Sequence, residues 1–263
     1  MQLSRYAAQH PRFVQGGGGN CSAKFSGRMA VKASGYFLES VCETSGYVIL
    51  DLKRGKPIHG SNGKVSMEAN LHRLLNAYVI HTHPTAVAAL VCSKQGKKIF
   101  KKLYPDPCCQ WIDYAAPGNQ LFHKVKRTLL KARTTMRKDQ VLFLQNHGLF
   151  VSSLTKKRCI NLHEETVQKL ETLFGMASID KLPVIPKDHY LTPDHAVYRN
   201  LEGKNLSEKT AAAVHEIETF ARQALALIKK KGWEPFWLTK RDVHFLLNMK
   251  EEKYRQALWK KSR

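Results

Sequence analysis

The sequence has no apolar run reaching the roughly 18 to 20 residues needed to cross a bilayer. Its opening, MQLSRYAAQHPRF, lacks the basic start, hydrophobic centre and small-residue cleavage site of a secretory leader. A cytoplasmic protein with no membrane partner is expected. Cysteine chemistry is equally thin: none of Cys21, Cys42, Cys92, Cys108, Cys109 and Cys159 stands in a CxxC pair or at zinc-ribbon spacing. Buried or incidental thiols in a reducing compartment are the expectation, and metal binding by sulfur is disfavoured. There is no Walker A loop, no GxGxxG, no internal repeat and no low-complexity tract, so neither a nucleotide fingerprint nor a repeat array supplies the framework.

Acidic residues are scarce. The 21 Asp and Glu face 43 Lys and Arg, for a formal net charge of +22. The basic residues are dispersed through KQGKKIFKK, HKVKRTLLKARTTMRK, LTKKR, IKKKGW and WKKSR, without the finger spacing or aromatic signature that names a nucleic-acid module. Several fall on the polar sides of amphipathic stretches, where a solvated surface accounts for them. Nonspecific attraction to polyanions is expected, with a nucleic-acid-binding basic protein as the non-enzyme alternative.

What is present suits one large folded domain: 263 residues at 43% hydrophobic content bury a substantial core. Short strands alternate with helices. RMAVKAS and GYVILDL read as strands, and SMEANLHRLLN as a helix starting at Ser66. AYVIHTH reads as a strand, PTAVAALVC as a helix opened by Pro84, and NQLFHKVKRTLLKARTTM as a longer helix. VLFLQNHGLFVSS looks like a buried strand interrupted at Asn-His-Gly, and LTKKRCINLHEETVQKLETLFG is helical to Gly175. KLPVIPKDHYLTPDH, with three prolines, predicts an extended connection. Two further helical stretches follow. The expected organisation is a catalytic domain over residues 1–185 and a C-terminal helical extension over 186–263, packed on the same domain.

Side chains two apart on a strand share a face, so His81 and His83 of VIHTHP project together and suit chelation. Such pairs also occur as ordinary surface or core histidines, and a third ligand is required. His147, beside Gly148 at the end of another apolar strand, is the candidate. Glu68, on the helix before the His-x-His strand, is a candidate base or a first-turn glutamate favoured by the helix dipole. His72 lies on the same helix face and is placed to orient or pair with it. In FVQGGGGNCSAK, four glycines form either an anion nest, with Asn20, Ser22 and Lys24 adding donors, or a flexible loop. Ser34 and Gly35 of KASG, and Ser66 at a helix start, could serve the same anion.

Together GGGGNCSAK with VKASG, SMEANLH, VIHTHP and LQNHGLFV, in that order, resemble the class II aldolase/adducin family over about residues 3 to 200. LSRYAAQ, the quadruple glycine and LTPDHAVY are most similar to the aldolase half of bacterial rhamnulose-phosphate aldolase/alcohol dehydrogenase fusions. The resemblance implies an α/β fold of three layers, α/β/α, around a largely antiparallel sheet, assembled as a homotetramer. It also implies that His81, His83 and His147 hold a divalent metal such as zinc, and that Glu68 is the acid/base group. Asn20, Ser22, Lys24, Ser34, Gly35 and Ser66 would hold a substrate phosphate, and Tyr114 of DYAAPGN would be a proton donor supplied across a subunit interface.

The implied reaction is retro-aldol cleavage of a ketose phosphate, of the rhamnulose- or fuculose-1-phosphate type, into dihydroxyacetone phosphate and an aldehyde. Pentulose-phosphate 4-epimerases, which commonly carry aspartate at the acidic position, and sugar-acid-phosphate decarboxylases or dehydratases are the alternatives on that scaffold. Adducin-like heads without catalysis would be expected to lose the histidines, which are retained here.

Overall fold

A computed structural model describes residues 1–58, 63–132, 138–176 and 181–261. Its centre is a seven-stranded sheet formed by β1 (Asn20–Phe25), β2 (Arg28–Lys32), β3 (Tyr47–Asp51), β4 (Tyr78–Thr82), β5 (Cys109–Ile112), β6 (Gln140–Leu144) and β7 (Gly148–Ser153). The strand order is β3-β2-β1-β4-β7-β6-β5, and every neighbouring pair is antiparallel except the parallel β5–β6. The three-layer expectation holds: α2 (Ala69–Leu74) and α5 (Asn119–Lys131) cover one face, while α1 (Gln2–Ala8), α3 (Thr85–Val91) and α6 (Lys156–Phe174) cover the other.

Alternation along the strands assigns side chains to the two layers. Val79, Leu142, Leu144 and Phe150 pack with Leu71, Leu75, Leu121 and Val125, whereas Ile80, Val141, Phe143, Leu149 and Val151 join the cluster under α3 and α6. Every residue of β6 and β7 is buried, which is why QVLFL and GLFVSS read as near-continuous apolar runs. Register then places the site: across from His81 in β4 lie Asn20 of β1 on one side and Phe150 of β7 on the other.

Beyond α6 come α7 (Pro193–Arg199), α8 (Glu208–Lys230), α9 (Lys240–Asn248) and α10 (Lys250–Lys261). Phe220, Ala221, Ala224, Leu225, Leu227 and Ile228 of α8 lie in the same apolar cluster as α3 and the sheet, so α3, buried at all seven of its residues, is sandwiched between them. No helix among the described residues is long and apolar enough to cross a membrane.

Several local expectations are corrected. The helix expected from Ser66 begins at Ala69, because Ser66 to Glu68 form a turn in which the Ser66 carbonyl accepts from Ala69 N–H and Ser66 Oγ accepts from Glu68 N–H. The interrupted strand around Asn-His-Gly is a hairpin between β6 and β7, with Asn146 at φ 54° in the left-handed region that asparagine tolerates. The proline-rich connection ends in helix at Pro193, whose fixed φ suits a first helical position behind the Thr192 cap. The second half of the glycine segment is strand β1, and α1, α4 (Gly96–Leu103) and α9 were not anticipated. The expected end of α5 falls on residues 133–136, outside the described residues.

Candidate metal centre and cavity

The strand end of β4, the β6–β7 hairpin and the turn before α2 bring His81, His83, His147 and Glu68 together. All three histidines and the glutamate are buried. One ligand nitrogen from each histidine lies within 4.8 Å of the others. His81 stacks flat on its cross-strand partner Phe150, centroids 4.0 Å apart at 12°, so the aromatic floor sets the imidazole plane. The hairpin turn that carries His147 is anchored by Asn146 Nδ2, which donates to Leu191 O at 2.8 Å and to Phe236 O.

Proton placement follows from the acceptors. His81 Nδ1 faces the Leu149 carbonyl at 2.9 Å and must donate to it; His83 Nδ1 faces an Asp194 carboxylate oxygen at 3.3 Å. Each ring therefore turns Nε2 inward, and the two Nε2 atoms stand 3.1 Å apart. Burial drives the His81 and His147 imidazoles below their ordinary range, against the opposing pull of Glu68. Glu68 Oε2 lies 3.3 Å from His81 Nε2, and Oε1 lies 3.4 Å from His147 Nε2. Lone pairs of His81, His83 and Glu68 thus face one another, an arrangement that a cation between them would relieve. The 3.1 Å between His81 and His83 Nε2 is near the edge of about 3.4 Å of a tetrahedral zinc site, while the three histidines' ligand nitrogens together spread over up to 4.8 Å. The donor set fits a divalent metal of the kind that imidazole and carboxylate take.

Glu68 is held by a directed chain of hydrogen bonds. Asn20 Nδ2 donates to Glu68 Oε2 at 2.8 Å, which turns Asn20 Oδ1 toward His72 Nε2 as acceptor. His72 Nδ1 is then an acceptor, and Ser22 Oγ donates to it at 2.8 Å. Burial raises the Glu68 carboxyl, while positive charge at the His81 and His147 nitrogens and the Asn20 amide favour its ionised form and hold it below the ordinary carboxylate range. His72 thus reaches the carboxylate through Asn20 rather than directly.

A cavity opens beside this centre. Asn20, Ser34, Gly35, Ser66, Glu68, His83 and His147 line it. Ser22 and Lys24 do not. Ser22 Oγ is committed to His72, and Lys24 Nζ donates to the Arg73 and Leu75 carbonyls at the C-terminal end of α2, where unpaired helix carbonyls attract a cation. Desolvation, with the Arg73 charge, lowers Lys24 to about 8. Tyr114 is also absent from the cavity wall: its ring packs with Ala116, Leu238 and Leu246, and its hydroxyl finds no hydrogen-bond partner among the described residues.

The glycine run is only partly the nest it resembles. Gly16 N–H donates to Glu216 Oε2 at 2.9 Å, Gly17 N–H to Tyr198 Oη at 3.0 Å and Gly18 N–H to the Gln15 carbonyl at 3.1 Å. Those three amides are occupied. Sequence reasoning missed three charged groups on the wall: Lys32, whose ammonium donates to the Gly17 and Tyr36 carbonyls, and two carboxylates from the C-terminal helices, Asp194 and Glu252. Lys32, the last residue of β2, is the first residue of the KASG element already singled out. No spacing in the sequence pointed to the other two.

This sheet, with imidazoles at the ends of β4 and β7 and a carboxylate from the turn before α2, has the class II aldolase arrangement, and its histidines could hold a metal. The chain belongs to the family described as Class II Aldolase and Adducin N-terminal domain, whose family model matches residues 1–174. Among solved structures, it is similar to the N-terminal class II aldolase domain of a conserved protein from Thermoplasma acidophilum. That match has a TM-score of 0.56 and 21% identity, covering 65% of this chain and 90% of that one. It is also similar to a sugar-phosphate aldolase from Thermotoga maritima, with a TM-score of 0.54 and 16% identity over 69% of this chain and 94% of that one. Among curated proteins, the Bacillus subtilis (strain 168) protein named "Uncharacterized oxidoreductase YuxG" is 24% identical over 134 residues. The match spans 51% of this chain but only 18% of that relative.

Proposed function

We propose that the chain is a metal-dependent carbon–carbon lyase that cleaves a ketose phosphate, of the rhamnulose- or fuculose-1-phosphate type, into dihydroxyacetone phosphate and an aldehyde. The observation that carries this reading is the convergence of the Glu68 carboxylate with His81 and His83 Nε2 beside a cavity walled by Lys32 and small hydroxyl residues. A divalent ion such as zinc, held by His81, His83 and His147, would supply Lewis acidity to the oxygens of a bound sugar.

The chain's own groups account for the rest of the reaction. Ser34, Gly35 and Ser66, with the Lys32 ammonium, are the groups offered to the phosphate, and the three engaged glycine amides are not. Glu68, oriented by Asn20, takes up the proton released from the C4 hydroxyl as the C3–C4 bond breaks and returns it to C3 of the three-carbon product. Burial of the three imidazoles, with His81 stacked on Phe150, limits their contact with bulk water. Tyr114 of this chain does not line the cavity, so a role as proton donor requires delivery to the cavity of another subunit.

The test is a panel of phosphorylated ketoses and sugar acids, assayed with and without a chelator for dihydroxyacetone phosphate. Chelator-sensitive release from a ketose phosphate is the expected result. Carbon dioxide or an epimer in its place would move the chemistry to the decarboxylase or 4-epimerase reading. No turnover across the panel would remove the lyase assignment.

A further inference from the structure

We infer that Asp194, on a helix beyond the family-matched segment, is a positioning residue that fixes the tautomer and orientation of His83 at the metal centre. This rests on the metal-centre reading above. The Asp194 carboxylate lies 3.3 Å from His83 Nδ1, and both side chains are largely buried, at 13% and 8% exposure. A carboxylate that close to Nδ1 favours the proton on that nitrogen, which leaves Nε2 as the lone pair. His81 receives the same service from the Leu149 carbonyl. The two rings are therefore set by different parts of the chain: one by the sheet, the other by α7.

Three features place Asp194 where it is. Thr192 caps α7 by accepting the His195 amide, and Pro193 occupies the first turn, so the second helical position is delivered at a defined angle. The far end of α7 is tied down by Arg199, whose guanidinium donates to the Ile185, Pro186 and His189 carbonyls. Finally, Gly18 leaves the space the pair needs. A Cβ there would stand 2.9 Å from Asp194 Oδ2 and 3.0 Å from His83 Nδ1. The third glycine of the run is thereby explained by close approach of these two side chains, with no anion required.

The experiment uses the full chain carrying Asp194→Ala, Asp194→Asn or Asp194→Glu, with folding checked by circular dichroism. Zinc affinity is measured by chelator competition. Imidazole nitrogen shifts of His83 are read by NMR in metal-free protein at one alkaline pH. Asp194→Ala should weaken zinc binding by about 10- to 100-fold and release His83 from the Nδ1–H tautomer. Asp194→Asn, nearly isosteric, should fall between, and Asp194→Glu should restore most of both readouts. An unchanged tautomer or unchanged zinc affinity in Asp194→Ala overturns the proposal, as does a wild-type chain that takes up no divalent ion. If the wild type binds zinc but cleaves no ketose phosphate, only the substrate reading fails, and affinity and tautomer still decide the role of Asp194.

Discussion

Glu68 Oε2 lies 3.3 Å from His81 Nε2, although neither atom carries a proton for the other once His81 Nδ1 has donated to Leu149. Two lone-pair groups at that distance repel unless a cation lies between them. From this contact follow the roles of carboxylate and imidazoles, and the experiments that separate them.

Glu68→Gln keeps the shape and the Asn20 neighbour but removes the proton acceptor. Metal content should persist while kcat for ketose phosphate cleavage falls by roughly 10²- to 10⁴-fold, the range for loss of a general acid–base group. Elemental analysis beside steady-state kinetics checks both halves. Unchanged turnover would place the base elsewhere.

Purified protein should hold about one zinc per chain, and His81→Ala or His147→Ala should lose metal and activity together. Because an ion that binds only the folded state stabilises it, a chelator should lower the Tm of the wild type and leave that of either variant unmoved. Metal retained in both variants would refute the ligand assignment.

Gly148 follows His147 at the start of β7, against β4. A Cβ at this position would lie 2.5 Å from the Thr82 carbonyl oxygen and 2.6 Å from His83 Cδ2. Gly148→Ala should therefore prise the two strand ends apart and destabilise the fold by about 1–3 kcal/mol, as overpacking does. It should also weaken metal binding, since His83 must move. Urea unfolding and zinc competition on the same sample test the two effects, and an unaltered unfolding midpoint would contradict this packing.

His163 of α6 lies fully buried between Tyr6 Oη at 2.9 Å and Thr82 Oγ1 at 2.7 Å. Burial pushes its imidazole down to about 3, from 6.5 when exposed. Between those values the unfolded chain binds the extra proton, so the contribution to stability is fully present above pH 6.5 and is lost as pH falls toward 3. His72, lowered to about 3 by burial, acts in the same direction. In His163→Gln the slope of unfolding free energy against pH across this window should flatten by up to about 1.4 kcal/mol per pH unit, one proton's worth. A slope identical to wild type in acid denaturation would show that His163 titrates normally in the fold.

The parts of this molecule legible in the sequence are those whose chemistry is local. His81 and His83 share a strand end, His147 sits beside a glycine in a turn, and the apolar periods of β4, β6, β7, α5 and α6 report burial directly. Glu68 was readable as a candidate, but its hold by Asn20, and by His72 and Ser22 behind it, depends on the register of β1 against β4, which no linear pattern encodes. The carbonyl partners of Lys24 are hidden for the same reason. Alternation along β1 is blind to the helix end that its side chain reaches. Thr239 and Asp242 form a capping box that announces α9, a signal present in the sequence but not used. Asp194 lay in LTPDHAVY, which gave a resemblance but no role, and Glu252 had no signal, because both reach the cavity through the packing of helices rather than through spacing.

The sandwiched position of α3 bears on where this protein can be cut. Residues 1–174 match the family model, yet a fragment stopping there would strip α8 from the apolar cluster it shares with α3 and would discard Asp194. The family-matched segment and the segment that closes the apolar core are thus different lengths of chain. A truncation at the signature's edge should give a sticky, aggregation-prone product whose failure would say nothing about the chemistry of its three imidazoles.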